Sequence, residues 1–93
     1  MFLTYSVDSH VTIYAWRDAI YSFPLPSEYG QGAALTFIRR LNEGDVDAAV
    51  ECAKWVLENK SEETFNVNLG PMFYLHVQDR TVRDMEGKVV WKL

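Results

Sequence analysis

The chain of 93 residues is 48% apolar and 24% charged, with a formal net charge of −4. That balance fits one globular domain, 1–93, and excludes a disordered tail, a collagen-like repeat and a disulfide scaffold. No apolar run approaches the ~18 residues that a membrane span needs.

The first 23 residues carry two extended patterns. Leu3, Tyr5 and Val7 alternate, and residues 11–16 are rich in β-branched and aromatic side chains. Both read as strands, joined by a turn at Asp8, Ser9 and His10. A short helical turn over 18–22 follows. The competing reading is a helix over 10–22 capped by Ser9, which would align Ile13, Trp16, Ile20 and Phe23. Residues 23–32 hold two prolines and two glycines, which forbids a continuous element. Their apolar side chains make this a packed loop rather than a free linker.

Two helices come next. Ala34, Phe37, Ile38 and Leu41 recur at helical spacing, with Arg39 and Arg40 off that stripe. Gly44 suits the left-handed position just past the helix end. Asp45 is then the N-cap of a second helix, with Asp47 complementing its dipole. Val46, Ala49, Val50, Ala53, Val56 and Leu57 form its apolar stripe, and Asp47, Glu51, Lys54 and Glu58 its charged face. The C-terminal third alternates as strands. Phe65, Val67 and Leu69 share one face, as do Phe73, Leu75 and Val77. Residues 81–83 are extended, Glu86 and Gly87 turn the chain, and Val89, Trp91 and Leu93 face the core together. The expected architecture is α+β, an antiparallel sheet of four or five strands with two consecutive helices packed on one face.

Chemistry-bearing residues are sparse. His10, His76 and Cys52 stand on different elements without the spacing of a metal site, so no metal is assigned. Cys52, His76 and Asp79 could form a nucleophilic set, but Cys52 lies beside an apolar helical stripe, where a thiol is buried and inert. Asp47 and Glu51, one turn apart, read as a solvated face rather than an acid–base pair. Gly30 and Gly32 before a helix lack the following Lys-Ser/Thr of a phosphate loop. No catalytic residue and no cofactor is assigned.

Charge distribution is the more informative signal. Glu43, Asp45, Asp47, Glu51, Glu58, Glu62 and Glu63 stand against Lys54 and Lys60, a net of −5 over residues 43–63. The remaining residues net +1. Such a segment repels phosphates and attracts a basic partner. In size, charge and aromatic content the chain resembles phage-encoded inhibitors such as anti-CRISPR proteins, and also bacterial immunity proteins and antitoxins. That resemblance implies a non-enzymatic protein that occludes a basic protein or nucleoprotein complex, without direct nucleic-acid or membrane contact. The partner surface would be the seven acids. A second-choice interface comprises Tyr14, Trp16, Tyr29, Tyr74 and His76. A different reading is a small-molecule or enzymatic pocket near residues 14–29, lined by Tyr14, Trp16, Tyr21 and Tyr29. A third is a homodimer that buries the apolar sheet face. The single thiol and the N-terminal sequence point to the cytoplasm.

Overall fold

The computed structural model describes residues 4–5, 10–15, 18–25, 32–60 and 66–93. The elements run β1 (Thr4–Tyr5), β2 (His10–Ala15), β3 (Asp18–Pro24), α1 (Ala33–Asn42), α2 (Val46–Lys60), β4 (Asn66–Asn68), β5 (Phe73–His76), β6 (Thr81–Asp84) and β7 (Val89–Lys92). Every strand pair is antiparallel. The fold is α+β, with both helices against the sheet, as the sequence pattern requires.

The sheet is divided more finely than four or five strands. Residues 18–22 belong to β3 and do not form the expected helical turn. Their pairing with β2 runs the full strand, from His10 opposite Pro24 to Ala15 opposite Asp18. Only two residues join the strands, so the hairpin closes locally and overrides any helical preference. Val77 to Arg80 likewise forms a turn that separates β5 from β6. Strand β2 is the hub. One edge carries β3, while the other is shared by β1 opposite Val11 and Thr12 and by β4 opposite Tyr14 and Ala15. From β4 the sheet continues through β5 and β6 to β7.

Alternation places Val11, Ile13, Phe23, Val67, Leu75 and Val82 in one buried layer against the helices. Helix α1 contributes Ala33, Ala34, Phe37 and Leu41. Helix α2 contributes Ala48, Ala49, Val50, Cys52, Ala53 and Val56. Four of those six are Ala or Cys, so the helix backbone can lie close to its neighbours. Phe23 stacks at 5.6 Å from Phe37 and meets Trp55 edge-on at 5.8 Å, locking the β2–β3 hairpin to both helices.

The corner between the helices is built from a few residues. Gly44 has φ +85°, a conformation costly for any residue with a Cβ. Its N–H donates to the Leu41 carbonyl (3.2 Å) and the Asp45 N–H to that of Arg40 (3.0 Å). These two bonds are the Schellman closure of a helix C-terminus. The closure usually carries an apolar contact between the outer residues. Here an ion pair takes its place, Arg40 Nε to Asp45 Oδ2 at 2.9 Å. Asp45 Oδ1 accepts the Ala48 N–H at 3.2 Å, capping α2 as the sequence predicts. Gly70, at φ +97°, brings the β4–β5 loop onto this corner; a Cβ there would stand 3.4 Å from Leu41 Cβ.

Strand β7 departs from the expected alternation. Val82 pairs with Trp91, but Arg83 pairs with Val89, so Val90 is an extra residue. This bulge puts Val89 and Trp91 on opposite faces. Val89, Trp91 and Leu93 therefore do not share a buried face: they are 38%, 44% and 36% exposed, while Val90 packs against the core.

Candidate functional site

The acidic segment is less uniform than its sequence suggests. Glu43, Asp47 and Glu58 are exposed, Glu51 is half-buried, and Asp45 is committed to the helix corner. Its hydrogen bond from Arg40, then that from the Ala48 N–H, holds the Asp45 carboxyl below its ordinary pKa. Lys54 is exposed on the same helix. Glu62 and Glu63 lie outside the described residues. What remains is an acidic corner at Glu43 and Asp47, with Glu58 about 16 Å further along α2.

The sheet surface away from the helices is polar and ordered in rows. Tyr14, Asn68, Tyr74, Arg83 and Val89 are successive cross-strand partners, and so are Asn66, His76, Thr81 and Lys92. Register thus brings Tyr74 and His76 of the second-choice interface onto one face, and the backbone of Tyr14 pairs with Asn68 beside them. Trp16 and Tyr29 lie outside the described residues, as do the side chains of Tyr14 and Tyr21, and with them the pocket expected near residues 14–29.

Asp79 organises the end of that face. Its Oδ1 accepts from Thr81 Oγ1 (2.6 Å) and from His76 Nδ1 (2.8 Å), and its Oδ2 from Arg83 Nη2. Arg83 Nε also donates to Thr81 Oγ1 at 3.0 Å. The bond from Thr81, then that from His76, drives the Asp79 carboxyl well below the usual carboxylate range, with Arg83 adding to them. Sequence reasoning missed Arg83 and Thr81; the alternation 79, 81, 83 across a turn into a strand is the signal that could have found them.

His76 and Asp79 therefore do pair, but Cys52 does not join them. Cys52 is fully buried on the helix side of the sheet, whereas His76 stands on the polar face. Burial, with the nearby Glu51 charge, pushes its thiol up, far from the thiolate a nucleophile needs. Among the described residues no three His, Cys, Asp or Glu side chains converge as metal ligands.

A cavity of about 400 Å³ lies between α2 and the last strand, lined by Lys54, Leu57, Glu58, Arg80, Trp91, Lys92 and Leu93. Arg80 reaches it from the β5–β6 turn, where its φ of +56° closes the four-residue loop. The Leu93 N–H donates to the Arg80 carbonyl at 2.9 Å, tying the last residue to that turn.

No family model matches the chain, and no curated protein or solved structure matches it at a significant level. No helix among the described residues is long and apolar enough to cross a membrane.

Proposed function

We propose that the protein acts by binding and occluding a basic protein or nucleoprotein partner, not by catalysis. The observation that carries this reading is the solvent exposure of Glu43, Asp47 and Glu58. None of the three has an ion-pair partner among the described residues. Carboxylates left unpaired on a helical scaffold present the negative charge that an Arg- or Lys-rich surface recognises. The groups that could have done chemistry have other employment: Cys52 in the core, Asp45 at a helix corner and Asp79 in a hydrogen-bonded cluster. An inhibitor of nucleic-acid-handling machinery, of the phage anti-defence kind, is the form of this activity we favour.

Affinity capture with the full chain from its native host should recover a stoichiometric basic protein or nucleoprotein. Binding should weaken as salt rises, since the Debye length falls from about 10 Å at 0.1 M to about 3 Å at 1 M. Reversing Glu43, Asp47 and Glu58 together to Lys should abolish capture while the melting temperature changes little. Normal capture by the triple variant would reject this surface.

A further inference from the structure

The groove between α2 and β7 has a chemistry opposite to that of the acidic corner. Lys54, Arg80 and Lys92 are exposed around it, against one acidic side chain, Glu58. None of the three cations has an ion-pair partner among the described residues. Between them lie Leu57, the half-exposed Trp91 and Leu93. An aromatic ring flanked by unpaired cations is the composition of an interface anchor point.

Beside the groove runs an open sheet edge. Strand β7 is the last in the order and, among the described residues, pairs only with β6. Its far edge offers backbone donors and acceptors to an incoming extended chain. A strand added there would turn alternate side chains to the helix side, over the cavity beside Trp91 and Leu93. Acidic side chains turned to the helix side would meet Lys54 and Arg80, while those on the other face would meet Lys92. A second copy of this chain is a poor occupant. The edge strand is flanked by Lys88 and Lys92, and antiparallel self-pairing would set lysine near lysine.

We propose that this edge and groove form a second docking site, which takes an extended segment of a partner protein whose helix-side residues, every second one, are acidic and apolar in turn. The site shares only Glu58 with the acidic surface proposed above, and Glu43 and Asp47 lie outside it.

The test is a titration of the isotopically labelled chain with an octapeptide in which Glu and Phe alternate at every second position and Ser fills the positions between. The amide signals of Val89 to Leu93 and the Trp91 indole should shift, and the Lys–Phe counterpart should leave them unmoved. Lys54→Glu with Arg80→Glu should weaken binding by about tenfold or more. Glu43→Lys with Asp47→Lys should leave it unchanged. Both double variants alter exposed side chains, and their amide spectra report folding directly. Equal response to the acidic and basic peptides, or no response in β7, would overturn the proposal. So would concentration-dependent dimerisation that protects β7, which would assign the edge to a second copy.

Discussion

Asp79 shows how much one surface carboxylate can organise. Three side chains from β5 and β6 converge on it, and its depressed pKa gives a pH signature. The folded state holds its carboxylate ionised more strongly than the unfolded chain does, so its contribution to stability is present above the unfolded value near 3.9 and is lost as pH falls through the lower folded value. Asp45 acts in the same direction. Asp79→Asn should therefore be less stable than the wild-type chain at neutral pH, and the gap should narrow steadily as pH falls below about 4. Denaturant midpoints across that range measure it; a gap independent of pH would mean that Asp79 contributes by shape and not by charge. Cys52 is the contrasting residue. Buried among Ala48, Ala49, Ala53 and Val56 in the same core cluster, its thiol should react with a maleimide far more slowly in native buffer than in denaturant.

At the scale of elements, the helices and the central strands were legible because their patterns are redundant. Phe37 and Leu41 mark a helix from either direction, Gly44 and Asp45 punctuate it, and Val67, Leu75 and Val82 alternate as strands should. Strand β3 was not legible, because residues 18–22 satisfy helical and extended patterns about equally and the choice is made by residues 12–15 of β2 opposite them. The bulge at Val90 was invisible for a related reason: alternation read from sequence assumes a constant period of two, and a bulge breaks it without any residue type that announces it. Its energetic consequence is measurable. Leu75→Ala in the buried layer should cost ~2–5 kcal/mol. Trp91→Ala should cost about 1–2 kcal/mol, well under the ~3–5 of a fully buried aromatic. Chemical denaturation of the two variants checks the ranking; a greater loss at Trp91 would place that ring in the core.

For the whole molecule, charge is sorted by location. The acidic corner sits where α1 meets α2, and the unpaired cations gather at the opposite end of the helix, against the last strand. The sequence showed the acidic half of this arrangement, because seven acids fall within one segment, residues 43–63. The basic half was hidden, since Lys54, Arg80 and Lys92 come from three distant elements and only the fold assembles them. Asp45 has an effect of another kind. Its two carboxylate oxygens serve the end of one helix and the start of the next, so neither terminus can fray without releasing the other. The amides of Gly44, Asp45 and Ala48 should then exchange with deuterium in one shared opening event, at a common free energy. In Asp45→Ala the link is gone, and the Ala48 amide should exchange faster than the amide at position 45, which still donates to the Arg40 carbonyl, because the helix start would open alone.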